Sequence, residues 1–417
     1  MENKIIIAVF ALLLFNYGHA QNAACDGSRF KQPTFTTVKK TTLVYATAFT
    51  YTELPPSLPD TVDLKMDVYE PQGDNAVARP VVILAHGGSF ITGDKNDMKT
   101  DCERFAKAGY VAVSIQYRLY PFLMLGFPDS TDIIGAVAKA IGDMKAAVRY
   151  FRQDAATVNL FKADTAHIFV GGYSAGAVTA LHVGYVDETD DFTPFVQTAF
   201  DINGGIDGNT GSAANQSYSA EVKGVYNRSG GLYRRTWIDE GEVPMVSIHG
   251  TADNTVYYIS GLAAGIAYLE GTGILHPYAL DQNVDSYLEI VTGGDHTSMY
   301  TSAQHAGQVN NFFNKALGKF EAITCGTSNV TELTNTADEL LKITPNPVTN
   351  AFSITLDAPL LTAASVHIFD VQGKQVQTVL NYGKGQQIMV DHLPSGTYTV
   401  LLQNGVGVFK SGRFVKQ

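Results

Sequence analysis

The sequence lacks a basic surface. It has 29 lysines and arginines against 40 aspartates and glutamates, a net charge of −11, and no block of basic residues. Nucleic acids and anionic membranes are bound mainly through lysine and arginine, so neither is expected as a partner. With 45% hydrophobic and 17% charged residues, the 417-residue chain is expected to be globular and to form two or three domains.

Long hydrophobic runs are also scarce. The only one spans residues 5–15, which is too short to cross a bilayer, since that takes about 20 residues. Lys4 precedes this run and Gly18-His19-Ala20 follows it, a pattern typical of a secretory signal peptide. We therefore expect residues 1–20 to be removed, leaving an exported chain without an integral membrane segment.

Cysteine is rare, with only Cys25, Cys102 and Cys325. No two of them form a Cys-x-x-Cys zinc motif, and the acidic residues show no EF-hand-like spacing, so we expect no metal and no cofactor. In an exported protein one pair can form a disulfide, but the spacing does not choose the pair. The alternative of a lipoprotein anchored at Cys25 is disfavoured, because Asn22-Ala23-Ala24 lacks the usual bulky apolar residue.

Strand and helix patterns alternate through the first 318 residues. Continuous apolar runs at Val81 to Ala85 and Val111 to Tyr117 are typical of buried parallel strands, and Ile133 to Asp154 has helical spacing. This alternation predicts an α/β fold, a mostly parallel sheet flanked by helices, over residues 21–318. Ile259 to Glu270 is also predicted to be helical, and residues 187–220 form a lid-like insertion.

The pattern changes after residue 318. Residues 319–342 are polar and are predicted to be a linker. Residues 343–417 contain short alternating strands separated by turns such as Pro394-Ser395-Gly396, which predicts a small all-β sandwich.

The motif Gly172-Tyr173-Ser174-Ala175-Gly176 lies where a predicted strand meets a predicted helix. A nucleophilic serine needs such a sharp turn, with small residues two positions before and after it, and the helix N-terminus stabilises negative charge. The alternative is an ordinary glycine-rich helix start capped by the serine.

A second motif, His86-Gly87-Gly88-Ser89, follows a predicted buried strand directly. Consecutive glycines allow neighbouring N–H groups to converge on one point, as an oxyanion hole requires. An ordinary glycine-rich turn would look the same, but the two motifs in this order favour the catalytic interpretation.

Together these motifs make residues 40–318 similar to the α/β-hydrolases of the carboxylesterase and lipase type. The resemblance implies that Ser174 is the nucleophile, that Asp253 in His249-Gly250-Thr251-Ala252-Asp253 is the acid, and that His296 is the base. It also implies an oxyanion hole formed by the N–H groups of Gly88, Ser89 and Ala175, with Ser89 replacing the usual third glycine.

Four other side chains compete for these roles. Asp295 cannot easily point at the ring of its neighbour, and His305 is expected to be structural or on the surface. His249 and His86 are expected to support loops.

The implied function is a secreted serine carboxylic-ester hydrolase working through an acyl-enzyme. Its substrates are expected to be short-chain esters, acetyl or feruloyl esters of plant polysaccharides, or polyesters. The alternatives are a serine peptidase or lactonase on the same fold, or a non-catalytic binding protein that retains only the fold.

The C-terminal segment 343–417 carries Pro345-Asn346-Pro347, then Asp370 followed by Gly373, then Leu393-Pro394-Ser395-Gly396-Thr397-Tyr398. This order resembles the sorting domain of the type IX secretion system of Bacteroidetes. The resemblance implies that the secretion machinery is a partner and that the protein is secreted or held at the cell surface. A carbohydrate-binding β-sandwich is the alternative, but this segment has no tryptophan.

Overall fold

A computed structural model describes residues 25–51, 60–326, 341–355, 364–370, 375–383, 385–403 and 409–417. The chain divides into two compact units, residues 1–328 and residues 329–417. The predicted signal peptide and most of the predicted linker lie outside the described residues. No helix in the described ranges is both long enough and apolar enough to span a membrane.

Within the described residues, the first unit contains eleven strands. Eight of them form one sheet in the order β1-β2-β4-β3-β5-β6-β8-β11, antiparallel among the first three and parallel from β4 onward. The other three form a small sheet in the order β7-β10-β9. The strands are β1 Val38–Phe49, β2 Thr61–Pro71, β3 Arg79–Ala85, β4 Val111–Ile115, β5 Ala163–Tyr173, β6 Val225–Arg228, β7 Gly231–Leu232, β8 Met245–Gly250, β9 Ser260–Ala263, β10 Ala267–Gly271 and β11 Ser286–Val291.

Helices cover both faces of the large sheet. Strand β3 shows why, since Val81 and Ile83 pack into one hydrophobic core and Val82 and Leu84 into another. Helices α3, α4 and α7 contribute to the first core, and α1 and α9 to the second. The predicted α/β architecture is thereby confirmed. The helices are α1 Lys99–Lys107, α2 Phe122–Leu125, α3 Ser130–Ala156, α4 Ala175–Tyr185, α5 Pro194–Ile202, α6 Ala213–Gln216, α7 Thr272–Asp281, α8 Ser298–Thr301 and α9 Ala306–Cys325.

One element differs in type from the prediction. The segment Ile259 to Glu270 is not a helix but the hairpin β9–β10, in which Ala263 pairs with Ala267. Ala264 and Gly265 have positive φ angles of 49° and 75°, and they reverse the chain between the strands. A short apolar run does not distinguish a strand from a helix by its spacing alone, which explains the error.

A disulfide joins the first described residue of the first unit to the last residue of helix α9. Cys25 and Cys325 form a disulfide with a Cα–Cα distance of 5.7 Å, while Cys102 is a buried free thiol. The lipoprotein alternative is therefore wrong for this structure, because the Cys25 sulfur is already bonded. Helix α9 also continues to Cys325, so residues 319–325 are helical rather than part of a linker.

The second unit is all-β, as predicted. The strands among its described residues form two antiparallel sheets, β12-β13-β16 and β15-β14-β17-β18. Buried Phe352, Val366, Ile368, Val400 and Phe414 belong to its own hydrophobic core. The strands are β12 Lys342–Thr344, β13 Ala351–Thr355, β14 Ala364–Phe369, β15 Gln375–Tyr382, β16 Gln387–Met389, β17 Gly396–Gln403 and β18 Phe409–Lys416.

Candidate active site

Ser174 occupies a sharp turn between β5 and α4. Its φ of 53° and ψ of −119° lie in a region that side chains rarely adopt, and such strain is found mainly at functional sites. The turn is possible because Gly172 and Gly176 approach strand β3 closely. A Cβ atom at these positions would lie 2.4 Å and 2.0 Å, respectively, from the carbonyl oxygen of Ala85. The glycines of the motif are thus required by packing around the serine.

The three predicted catalytic side chains lie together at the carboxyl ends of parallel strands. The Ser174 hydroxyl is 2.8 Å from His296 Nε2, and His296 Nδ1 is 2.7 Å from Asp253 Oδ2. Ser174, His296 and Asp253 are 5%, 7% and 4% exposed, so this chain of hydrogen bonds is shielded from water. Asp253 follows β8, and His296 follows β11.

Asp253 accepts hydrogen bonds on both oxygens. Backbone N–H groups of Thr255 and Val256 donate to Oδ1 at 2.9 and 3.0 Å, while Oδ2 receives His296 and also lies 3.3 Å from His249 Nε2. Burial works to raise the pKa of Asp253, but the bonds from His249 and His296 outweigh it and hold the pKa well below its usual range. The carboxylate is therefore ionised and can stabilise a neighbouring imidazolium.

His249 lies behind this carboxylate and is fully buried. Its Nε2 faces two acceptors, the Val256 carbonyl at 2.9 Å and Asp253, so Nε2 carries a proton. Its Nδ1 then accepts from the Thr272 hydroxyl at 2.7 Å. The sequence pointed to His249 only as a support for a loop, whereas the structure also brings it against the carboxylate.

The competing side chains lie elsewhere. Asp295 is exposed, and its Oδ1 accepts hydrogen bonds from the backbone N–H groups of Thr297 and Ser298 at 2.9 and 2.7 Å, in the turn that precedes α8. His305 is buried, with Nδ1 3.3 Å from Gln308. His86 stacks on Tyr117 at a centroid distance of 4.4 Å, and burial lowers its pKa.

The predicted oxyanion loop has an unusual backbone. Gly88, Ser89 and Phe90 have successive positive φ angles of 110°, 53° and 62°. A Cβ on Gly88 would lie 2.0 Å from the Thr92 carbonyl oxygen, so glycine is required there, whereas Ser89 adopts the left-handed conformation despite its side chain. Within the described ranges, the N–H groups of Gly88, Ser89 and Ala175 donate to no protein acceptor, which leaves them available to a ligand.

An apolar cavity adjoins Ser174. Its empty space, counted together with the open solvent at its mouth, is about 820 Å³, and none of its described lining residues is Asp, Glu, Lys or Arg. His182 lines it as a neutral ring, because burial lowers its pKa to about 4. The cavity is lined by Ser89, Phe90, Ile133, Ile134, Val137, Ala138, Ser174, Ala175, Val178, His182, Val196, Ala199, Phe200, Tyr233, Trp237, Thr255, Val256, Ala263, Ala264, Ile266, Ala267, Tyr268 and Leu269.

The sequence motifs indicate only part of this cavity wall. Phe90, which directly follows the oxyanion motif, lines the cavity, whereas Tyr173, Tyr257 and Tyr258 do not. The insertion 187–220 contributes through α5, and the hairpin β9–β10 contributes residues between Ala263 and Leu269. No local motif marks these residues, because their role depends on long-range packing. Within the described part of the chain, no cluster of three or more His, Cys, Asp or Glu side chains could hold a metal ion.

The sheet order, the helices on both faces and the sharp turn at Ser174 define the first unit as an α/β-hydrolase fold. Residues 66–232 match the family model BD-FAE, and residues 342–417 match the model of the secretion system C-terminal sorting domain. Both resemblances drawn from the sequence motifs, to carboxylesterase-type α/β-hydrolases and to a sorting domain, are therefore confirmed.

Similar proteins include esterases. Esterase-5B of Drosophila persimilis is 30% identical over 142 residues, 34% of this chain and 24% of that protein. The non-reducing polyketide synthase Preu3 of Preussia isomera is 28% identical over 136 residues, 32% of this chain and 5% of that protein. The chain thus spans a quarter or less of these relatives. The solved structure of Thermogutta terrifontis esterase 2 phosphorylated by paraoxon is 20% identical, with a TM-score of 0.46, covering 66% of this chain and 91% of that one.

Proposed function

We propose that this chain is a serine carboxylic-ester hydrolase working through an acyl-enzyme on Ser174. The observation that carries the proposal is the continuous chain of hydrogen bonds from Ser174 through His296 to Asp253, located at an apolar cavity. A buried serine on a strained turn, bonded to an imidazole that a carboxylate orients, has the arrangement of an activated nucleophile.

In the proposed reaction, Ser174 Oγ attacks the ester carbonyl carbon while its proton passes to His296 Nε2. The carbonyl oxygen becomes an oxyanion, which accepts hydrogen bonds from the free N–H groups of the oxyanion loop and of Ala175 at the start of α4. The C–O bond to the alcohol then breaks, and His296 returns the proton to the leaving oxygen. Asp253 holds the Nδ1–H tautomer throughout.

Water then hydrolyses the acyl-enzyme. A water oxygen attacks the acyl carbonyl carbon, and its proton passes to His296 Nε2. The second tetrahedral intermediate collapses as the bond to Ser174 Oγ breaks and Oγ recovers the proton, which frees the carboxylic acid. Each step uses one proton acceptor, His296, so no further acid or base is needed.

The lining of the cavity favours ester substrates with an uncharged acyl group. It has no described ionic lining residue and contains several aromatic rings, including Phe200, Trp237 and Tyr268. Such a wall binds apolar or aromatic groups and disfavours charged ones. Short-chain acyl, acetyl or feruloyl esters of plant polysaccharides, and polyesters, all fit this description.

Two measurements on the purified protein test the proposal. A fluorophosphonate probe should label one serine per chain, and a panel of p-nitrophenyl esters and methyl hydroxycinnamates should be hydrolysed, with charged acyl groups the poorest. A protein that stays unlabelled would instead be a binding protein on this fold. Preferential cleavage of peptides or lactones would favour the peptidase or lactonase alternative.

We also propose that the second unit directs export through the type IX system, after the signal peptide has directed the chain into the periplasm. The match over residues 342–417 supports this role. Within the described residues, each unit has a hydrophobic core made of its own side chains.

Deletion of residues 343–417 should therefore trap the enzyme in the periplasm without loss of its specific activity. The measurement is esterase activity per labelled serine in periplasmic and external fractions, with the full chain as control. Normal export of the truncated chain would refute the sorting role.

A further inference from the structure

The residue just before the proposed nucleophile makes a second link between the Ser174 turn and the His296 loop. Tyr173 is the last residue of β5, and its hydroxyl donates to the backbone carbonyl of His296 at 2.8 Å. Its ring also stacks on the His296 imidazole at a centroid distance of 5.3 Å and an angle of 29°. The mechanism described above uses neither contact.

The Tyr173 ring is fixed from its other sides as well. Tyr300 meets it edge-on at 5.2 Å, and the Arg228 guanidinium, paired with Asp101, lies over both rings. A Cβ on Gly87 would lie 2.9 Å from Tyr173 Cδ1, so the oxyanion loop also packs against it. Burial raises the pKa of Tyr173 to about 12 despite the opposing charge of Arg228, so the phenol keeps the proton that it donates.

This contact matters most at one stage of the reaction. In the free protein the histidine is held by Asp253 at Nδ1, by the Ser174 hydroxyl at Nε2, and by Tyr173 at its carbonyl. In the acyl-enzyme Oγ is esterified and has no proton to donate, so the contact at Nε2 is lost. Over the described segments 172–176 and 292–297, the Tyr173 bond is then the only hydrogen bond that still joins the turn to the histidine loop.

We propose that Tyr173 is a positioning residue that keeps His296 in place for hydrolysis of the acyl-enzyme. The proposal rests on the proposed function. In the step concerned, a water proton moves to His296 Nε2 as the water oxygen bonds to the acyl carbon. An imidazole that drifts from this position loses the alignment that proton transfer requires.

The variant Tyr173→Phe keeps the ring and removes only the donor. With p-nitrophenyl butyrate, whose leaving group departs readily, kcat should fall about 5- to 20-fold, the size expected for one lost hydrogen bond. The ratio kcat/KM, which reports acylation, should stay within about twofold of wild type, so KM falls with kcat. Rapid mixing should show a burst of p-nitrophenol approaching about one equivalent, since the acyl-enzyme accumulates.

Tyr185→Phe is the matched control. Its hydroxyl also donates to a backbone carbonyl at 2.8 Å, that of Val243, but at the opposite end of α4 from Ser174. This variant should keep wild-type kcat and KM and show no larger burst. Rates are calculated per serine titrated with the fluorophosphonate, so a partly unfolded preparation does not distort the comparison.

Two results would overturn the proposal. One is an unchanged kcat in Tyr173→Phe, and the other is an equal fall of kcat and kcat/KM without a burst. Failure of the proposed function looks different, because the wild-type protein would then neither react with the fluorophosphonate nor hydrolyse the ester.

Discussion

Replacement of Ser174 by alanine is expected to reduce ester hydrolysis by about 10⁴- to 10⁶-fold and to abolish fluorophosphonate labelling. Without Oγ no acyl-enzyme forms, and only the oxyanion donors and the cavity remain to assist attack by water. The measurement is kcat with p-nitrophenyl acetate and p-nitrophenyl butyrate, alongside labelling followed by mass spectrometry of the modified peptide.

The fold should survive this change. Alanine has the same Cβ as serine, so the positive φ at residue 174 costs the same, and only the hydrogen bond to His296 disappears. The thermal unfolding midpoint should therefore stay close to wild type, which serves as the control. Turnover by Ser174→Ala at a wild-type rate would rule out the acyl-enzyme mechanism.

The second large effect is expected at Asp253. Substitution by asparagine should lower kcat by about 10⁴-fold, as the loss of an orienting carboxylate does in serine hydrolases generally. The structure adds a specific reason, because four N–H groups point at this carboxylate, two at each oxygen. An asparagine NH₂ group must face one of these pairs, donor against donor.

One way to relieve this conflict changes the tautomer of His296. If the amide NH₂ faces His296, the imidazole can accept at Nδ1 only by carrying its proton on Nε2, where it no longer accepts from Ser174. The pH–rate profile and the kcat of Asp253→Asn measure this loss.

Asp295→Asn is the control for Asp253→Asn. Asp295 is exposed, and its Oδ1 accepts hydrogen bonds from two backbone N–H groups in the turn before α8, a role that the side-chain oxygen of asparagine also fills. Its kcat should remain within about twofold of wild type. If Asp295→Asn proved the more damaging substitution, the assignment of the acid would be wrong.

The sequence motifs predicted the nucleophile turn and the buried strand β3. Gly172 and Gly176 were recognisable because a nucleophile turn leaves no room for a Cβ beside Ala85. The continuous apolar run of β3 indicated a buried strand because both of its faces are covered. In both cases one short run of consecutive residues must satisfy the constraint, so the constraint leaves a recognisable pattern in the sequence.

What the sequence did not reveal depends on contacts between distant segments. The cavity combines residues of α3, α4, α5 and the β9–β10 hairpin, and no spacing rule connects them. The prediction of a helix at this hairpin is wrong, because Ala264 adopts a positive φ in the turn and an alanine in the sequence does not indicate one. The contact of Tyr173 with His296 spans 123 residues, so it too was invisible before the fold was known.

The bond between Cys25 and Cys325 affects how the exported protein responds to cleavage by a protease. It turns the hydrolase unit into a closed ring of covalent bonds that spans 300 residues of sequence. A single cut by an external protease within this ring cannot separate the fragments, which stay joined through the two sulfurs and the shared core. A nicked enzyme would run as one species on a non-reducing gel and as two on a reducing gel, and the paired fragments would keep Ser174, Asp253 and His296 on the same particle.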